Sequence, residues 1–428
     1  MTPTVLLSLL LFGLFFLLVF LNVPIAVSMG IASLCALAFT GMKFSVFGNI
    51  MITAIAKPTL LAIPYFILAG VIMEYAGISR RLIDFAEAMV GHRRGGLAIV
   101  VVICCCFFAA ISGSAPATVA ALGGVLIPAM KRNDYNVGFS SALLASAGAI
   151  GVIIPPSIAF VVFAMLTGAS VADMFTAGIL PGVLMGASFI IAALIVLRKD
   201  KNIKTLPKAS AKVRWKTFKD AFWGLLSPVI ILGGIYSGKF TPTEAAGVAV
   251  VYGLFVGLVI YKEMKLKDLW RLCIESAVTC ATVMFILGVA SLFSWILTTS
   301  GLATNLSEAL MNICTNKEIM LIVVNILFLI AGCFIDFISA CYIFLPILIP
   351  ILNNYNYSIV AFGVLMTVNF AIGQITPPVG IDLYVACNIA KIKMEEIVKH
   401  VVPFIIAGII VVLLCSFFPQ ISLLLIGG

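Results

Sequence analysis

The residues of this chain that could do chemistry fall into four short strings, each interrupting an apolar run. The first is Ser112-Gly113-Ser114-Ala115-Pro116-Ala117-Thr118, and the second is Gly148 and Gly151 followed by Pro155-Pro156-Ser157. The third is Asp336-Phe337-Ile338-Ser339, and the fourth is Gly373-Gln374-Ile375-Thr376-Pro377-Pro378-Val379-Gly380. Their common chemistry is oxygen. A proline removes an amide donor and disrupts the helix four residues back, which frees backbone carbonyls. Where two half-helices meet, C-terminal carbonyls suit a cation and the N-terminal amides that follow suit an anion. Ser157, Gln374 and Thr376 add side-chain oxygens of the kind that hard cations such as sodium take, by analogy with the calcium and magnesium rules. Packing is the competing explanation for Ser112 and Gly113, because small residues let backbones approach closely.

Asp336 is the carboxylate to single out. It stands 18 residues beyond Glu318 in apolar sequence, where an ionised group is unfavourable unless a cation, a proton or a partner compensates it. Asp382 ranks second, since it could equally cap a helix or face a loop. Glu244, in Thr241-Pro242-Thr243-Glu244, reads as half of a capping box with proline at the first helical position. Asp173 reads as an N-terminal helix charge. Enzyme chemistry lacks its parts. The only two histidines, His92 and His400, fall in or beside basic loops. No cysteine–histidine cluster has metal-site spacing. No glycine-rich loop ends in Lys-Ser/Thr, and no repeated charged rings suggest a channel filter.

The elements that must position these strings are membrane helices. Of 428 residues, 63% are hydrophobic and 10% charged, against roughly half and a quarter in soluble domains. That excess excludes a soluble enzyme, a nucleic-acid binder and a secreted disulfide scaffold. The eleven cysteines mostly sit inside apolar runs, as Cys104, Cys105 and Cys106 do, and read as reduced packing residues. The N-terminus has no basic n-region or small-residue cleavage site, so its apolar stretch reads as a retained first span. Apolar segments fall at about 4–21, 24–41, 58–76, 95–111, 116–130, 138–168, 176–197, 222–238, 243–262, 274–297, 318–335, 340–352, 358–390 and 401–425. At about 20 residues per span, the length allows roughly a dozen.

Charge gives the sidedness. The net charge is +9, and nine basic residues lie between Arg198 and Lys219, which places that loop in the cytoplasm. Counting through the chain leaves four basic residues outside (Lys43, Lys57, Lys239, Lys317) and the other 22 inside, with both termini outside. Arg94 and Lys131 lie on the same side, so the segment between them enters the membrane and returns.

The two halves repeat. Gly77-Ile78-Ser79-Arg80-Arg81-Leu82 aligns with Gly301-Leu302-Ala303-Thr304-Asn305-Leu306 at an offset of 224, which also carries Ser112 onto Asp336. Pro155-Pro156 aligns with Pro377-Pro378 and Pro181 with Pro403 at 222, and Pro24 with Pro242 at 218. The predicted fold is an all-α polytopic membrane protein of two inverted repeats. Each has three spans, a re-entrant helical hairpin, a proline-broken helix and a closing span. Residues 1–200 form the first repeat, with its hairpin at about 95–130 and broken helix at about 138–168. Residues 201–220 form a basic cytoplasmic linker. Residues 221–428 form the second repeat, with its hairpin at about 318–352 and broken helix at about 358–390. Inverted repeats with discontinuous helices mark a secondary transporter whose site lies near the bilayer midplane.

At these residues the chain resembles the large membrane subunit of the tripartite ATP-independent periplasmic (TRAP) transporters, nearly end to end. The resemblance is carried by Leu60-Leu61-Ala62-Ile63-Pro64-Tyr65-Phe66-Ile67-Leu68-Ala69-Gly70, Arg94-Gly95-Gly96-Leu97-Ala98 and Ala110-Ile111-Ser112-Gly113-Ser114 in the first half. Ile154-Pro155-Pro156-Ser157, Phe240-Thr241-Pro242-Thr243-Glu244-Ala245-Ala246 and Thr376-Pro377-Pro378-Val379-Gly380 complete it. It implies a sodium-coupled symporter with an elevator-type fold, importing an organic acid such as a C4-dicarboxylate or sialic acid across a bacterial inner membrane. It implies two partners, a small four-helix membrane subunit and a soluble periplasmic substrate-binding protein, and no cofactor beyond sodium as coupling ion. By motif position it places sodium at Ser112, Ser114, Gly151, Pro155, Asp336, Thr376 and Pro377, with Gly113, Gly373 and Gln374 in the same strings. The substrate region expected between the tips draws on Ser112, Ser114, Thr118, Ser157, Ser339 and Thr376, meeting a carboxylate with hydroxyls and helix N-termini because no Lys or Arg lies deep in the hairpins. A stand-alone ion-coupled organic-anion carrier without partner subunits is the alternative transporter reading, and a membrane scaffold is the non-transport one.

Overall fold

A computed structural model describes residues 3–198, 200 and 203–426, and every regular element among them is a helix. The terminal residues 1–2 and 427–428, and the linker residues Lys199, Lys201 and Asn202, lie outside the described residues. The first half opens with α1 (Pro3–Ser8), which runs through a π turn (Leu9–Gly13) into α2 (Leu14–Phe20). Then come α3 (Ile25–Phe39), the short α4 (Ser45–Ile55), α5 (Ala62–Tyr75) and α6 (Ile78–Val90). The hairpin arms are α7 (Gly96–Ser112) and α8 (Ala115–Arg132). The broken helix is α9 (Val137–Ala149), a 3₁₀ turn (Ile150–Val152) and α10 (Ile158–Thr167), and α11 (Val171–Leu197) closes the half.

The second half repeats that order. It has α12 (Ala211–Tyr236), α13 (Pro242–Phe255), α14 (Asp268–Thr299) and α15 (Leu302–Ile313). Its hairpin is α16 (Lys317–Gly332) with α17 (Phe337–Asn354), and its broken helix is α18 (Ile359–Gly373) with α19 (Ile381–Ala390). The closing span α20 (Met394–Phe417) is followed by the single turn α21 (Gln420–Leu423).

Local chemistry sets these ends. Asn136, Ser170, Ser210, Asn316, Asp336 and Ser358 each cap a helix by accepting an amide of its first turn. The capping box at Thr241 and Glu244 forms as read, and Asp173 sits in the first turn of α11. The two prolyl pairs fill the gaps of the broken helices, where proline cannot continue the ladder. All eleven cysteines are free thiols.

Three features differ from the sequence expectation. Helices α4, α6 and α15 are additional elements, absent from the span reading. Helix α12 starts at Ala211, inside the stretch read as linker, so Lys212, Arg214, Lys216 and Lys219 ride on its first turns. Seven helices among the described residues are long and apolar enough to cross a membrane, against a dozen anticipated, because most hairpin arms and half-helices are each shorter than a bilayer.

Helices that are apolar all round belong in the interior, and α9 and α18 are buried along nearly their whole length. The inner elements interlock between halves: α19 packs on α8 and α9, while α10 packs on α17. Around them, α14 runs beside α3, α4, α5 and α17. Large apolar side chains point outward, as with Phe20 at 68% and Val251 at 67% exposed, which suits hydrocarbon and not water. The linker is strapped to the base of the first hairpin. Arg94 donates to the carbonyls of Arg198 and Asp200, and Lys204 meets Asp134 at 2.8 Å. The Lys204 and Leu206 amides donate to the carbonyls of Asn133 and Gly91.

Candidate functional site

The first hairpin turns in two residues, Gly113 and Ser114. Gly113 closes α7 in the left-handed conformation at φ 62°, and Ser114 starts α8 from extended backbone. The Ser112 and Thr118 hydroxyls are 2.9 Å apart, and Thr118 also donates to the Ser114 carbonyl at 2.8 Å. That carbonyl lies against Gly151, where an added Cβ would come within 2.8 Å of it and 3.0 Å of Thr118 Oγ1. A Cβ at Gly113 would meet the Pro156 carbonyl at 2.6 Å, and the Ile158 amide donates to the Gly113 carbonyl. Ser112, Gly113, Ser114, Thr118 and Gly151 therefore form one oxygen-rich cluster where hairpin and broken helix touch. Pro155 is buried in the loop beneath it. Ser157 is not part of the cluster: its hydroxyl turns back to the Val152 carbonyl at 2.6 Å.

The second tip uses a carboxylate instead of a hydroxyl. Asp336 is the N-cap of α17, with Oδ2 accepting from the Ile338 and Ser339 amides at 2.9 and 3.1 Å and Oδ1 from the Ser339 hydroxyl at 2.6 Å. Its structural counterpart is thus the N-cap Ser114, 222 residues earlier, and not Ser112. Behind it, Gly332 and Gly373 bring two backbones together: a Cβ on Gly373 would lie 2.5 Å from the Gly332 Cα. Thr376 donates its hydroxyl to the Ile372 carbonyl. Thr376 and Pro377 are only half-buried and Pro378 is exposed, whereas the first prolyl pair is covered.

The two tips meet. Gly113, Ser114 and Pro116 of the first, Asp336 of the second and Gln374 of the second broken helix line one cavity of about 130 Å³, with Val283 of α14 opposite. A second cavity of about 390 Å³ shares Ser114, Pro116, Ile158 and Val283 with it. It continues between hairpin one and α5/α14 to Glu74 and Glu275. Hydroxyl, carbonyl, amide and carboxylate oxygens with no basic residue form a setting that suits a hard cation. Among the described residues no cluster of three His, Cys, Asp or Glu side chains is present.

Sequence reasoning missed several contributors. Gly70 abuts Ser112, so that a Cβ there would lie 3.3 Å from the Ser112 Cα. Gly332 and Val283 carry no motif of their own. Asp382, ranked below Asp336, is fully buried, which nothing in its local sequence signals.

Comparison with known proteins agrees with this architecture. In fold the chain is similar to the structure titled "Crystal structure of the Alcanivorax borkumensis YdaH transporter reveals an unusual topology", with a TM-score of 0.58 over 98% of each chain at 13% identity. In sequence it is 41% identical over 367 residues to the C4-dicarboxylate TRAP transporter large permease protein DctM of Pseudomonas aeruginosa, covering 86% of each. It is 40% identical over 426 residues to the isethionate TRAP transporter permease protein DctMQ of Oleidesulfovibrio alaskensis, covering 97% of this chain and 66% of that longer protein. The family described as "Tripartite ATP-independent periplasmic transporter, DctM component" matches residues 12–421. Paired hairpins, paired broken helices and this end-to-end similarity make the chain a member of the DctM family, a transporter permease and not an enzyme.

Proposed function

We propose that this chain is the sodium-coupled large permease of a TRAP system that imports an organic anion across a bacterial inner membrane. The observation that carries the proposal is the single cavity lined by both hairpin tips, with Ser114 and Asp336 as the matching N-caps. In this reading sodium orders each tip against its broken helix, through Ser112, Ser114, Thr118 and Gly151 in one half and Asp336, Gly373 and Gln374 in the other. The anion enters between the tips and meets hydroxyls and the amino ends of α8 and α17. Relatives named for isethionate and for C4-dicarboxylates support an acidic small molecule as cargo. The hairpin-bearing core then travels past α14 and its neighbours, and the larger cavity toward Glu74 and Glu275, the latter bonded to Tyr75 under the Arg271 guanidinium, is the path to the cytoplasm. The driving force is the inward sodium gradient plus membrane potential, which supplies about 2.3 kcal/mol per net charge per 100 mV. A small four-helix membrane subunit and a periplasmic substrate-binding protein complete the system, with both termini on the periplasmic side.

The test is uptake of labelled isethionate and succinate into proteoliposomes containing both partners, with and without a sodium gradient. Sodium-dependent accumulation is expected, and uptake indifferent to sodium would overturn the coupling. Uptake without the partners would favour a stand-alone carrier. Asp336→Asn keeps an effective N-cap, since Asn and Asp cap about equally well, but removes the charge. It should leave thermal stability within about 1 kcal/mol and weaken the sodium dependence, and unchanged sodium dependence would remove Asp336 from the site.

A further inference from the structure

Helices α6 and α12 run antiparallel along one seam, far from the hairpin tips. A Cβ on Gly224 would meet Ile78 Cγ2 at 2.6 Å, and the rings of Phe85 and Phe218 lie 5.7 Å apart. That register brings the end of α6 to the first turns of α12. Trp215 stacks on Phe218, with Lys219 Nζ 5.6 Å from its ring centre. At 60% exposed, Trp215 faces outward, as the exposed Val213 does. Tryptophan so placed on a membrane protein marks the level where hydrocarbon gives way to headgroups.

Basic groups collect at this end of the seam. Lys208, Lys212, Arg214, Lys216 and Lys219 follow one another with no acid between them. The strap brings Lys208 close, since the Leu206 amide donates to the carbonyl of Gly91, next to His92. Arg214 Nε and His92 Nδ1 are both shielded from solvent, and neither has a hydrogen-bond partner. Buried polar nitrogens are ordinarily paired. Desolvation, followed by the charges of Arg214, Lys208 and Arg93, holds the His92 imidazole below its ordinary value, and no acid acts against them. Neither ion pair among the described residues takes up Arg93, Lys208 or Arg214. Of the acids in the region, Asp134 is held by Lys204, Glu87 lies within reach of the Arg132 charge, and Asp220 follows nearly two turns beyond Arg214. Such a group of donors suits an anion with several acceptor oxygens, and a guanidinium matches phosphate in particular.

We propose that Arg214, Lys208 and His92 form a binding site for the phosphate of an anionic phospholipid, with Trp215 and Val213 against the upper part of its acyl chains. Clusters of roughly 4–8 basic residues beside a membrane helix recognise acidic headgroups in this way. The exposed aromatic and aliphatic side chains beside the cluster favour a lipid over a soluble phosphate. A lipid held there ties three parts of the chain to the bilayer: the strap, the end of α6 and the start of α12. This goes beyond the transport reading and does not depend on sodium coupling.

Native mass spectrometry of the purified full chain tests the site without any transport assay. The chain is titrated in detergent with phosphatidylglycerol or phosphatidylcholine, with and without inorganic phosphate. Tighter binding of phosphatidylglycerol is expected, and inorganic phosphate at matched concentration should leave it bound. Displacement by phosphate would overturn the lipid assignment in favour of a free anion. Equal affinity for the two lipids, as a seam built for a protein contact would give, would overturn the site itself. Lys208→Gln and Arg214→Gln each remove a hydrogen bond to a charged group and should weaken phosphatidylglycerol about tenfold or more. Lys216→Gln removes only diffuse attraction, about fivefold or less. Equal losses in all three variants would reduce the cluster to diffuse attraction and refute a built site. Lys208 lies in the exposed linker, so its variant decides the matter even if Arg214→Gln folds poorly. Failure of sodium-driven uptake would bear on the transport reading alone and leave the lipid result standing.

Discussion

Replacing Gly151 with alanine puts a methyl group directly where the first hairpin tip rests. The new Cβ would lie 2.8 Å from the Ser114 carbonyl oxygen and 3.0 Å from Thr118 Oγ1. A comfortable carbon–oxygen approach is about 3.3–3.6 Å, so the tip must retreat by roughly 0.5 Å or more. Its closest contact is backbone, which cannot swing aside as a flexible side chain would. Overpacking of this kind costs about 1–3 kcal/mol. If that energy falls on closure of the tip, the sodium concentration for half-maximal uptake rises about 5- to 150-fold. The assay is labelled-anion uptake at graded external sodium in proteoliposomes, with Gly124→Ala as the control, since a Cβ there meets nothing within 4 Å. A folded Gly151→Ala protein with the wild-type sodium requirement would refute the assignment of the Ser114 carbonyl to the coupling site.

Two further outcomes follow from the packing. The Asn325 side chain donates to Ser416 Oγ at 2.7 Å and accepts from Asn369 at 2.9 Å, tying α16, α18 and α20 together. A double-mutant cycle of Asn325→Ala and Ser416→Ala read by thermal unfolding should show a coupling of about 0.6–1.7 kcal/mol, and strict additivity would contradict the bond. On the strap, the hydrogen bond and charge of Asp134 hold the Lys204 amine above its ordinary value. A raised lysine contributes its attraction below its ordinary pKa of about 10.4 and loses it as pH rises through the folded value. Amide hydrogen exchange at Lys204 and Leu206 should therefore show protection above the intrinsic rate at neutral pH that falls in strong alkali and in high salt. Insensitivity to both would mean that the backbone bonds alone hold the strap.

What the sequence disclosed about this molecule was punctuation. Pro155-Pro156 and Pro377-Pro378 cannot be helical interiors, and the polar strings at 112–118 and 336–339 stand out because everything around them is apolar. Those four interruptions became the broken helices and the hairpin tips within a few residues. Helices α6 and α15 escaped because charged or polar residues such as Arg80, Asp84 and Asn305 dilute any apolar window, although they pack one face inward at Leu82 and Leu302. The register of the repeat drifted for a physical reason. The connection from α6 to α7 is longer than that from α15 to α16, so an alignment anchored at Gly77 and Gly301 slips before it reaches the tips and pairs Ser112 with Asp336. The fate of the polar atoms was hidden as well. Ser157 and Thr376 look like ligands in a string, but their hydroxyls are turned back to carbonyls of their own segments. Asp382 looks like an ordinary first-turn acid until its burial is known.

The strap also acts as a leash. Its amides at Lys204 and Leu206 are fastened to the base of the first hairpin, while α12 begins at Ala211 and packs on α6 and α13. Only residues 207–210 link the two anchorages. Five peptide steps, pulled straight at about 3.6 Å each, span about 18 Å. Any excursion of the hairpin relative to α12 must fit within the slack of that short tether, or else tear the strap from Gly91 and Asn133. Adding or deleting residues at 207–210 would then adjust the length of the stroke without touching a single atom of the cavity.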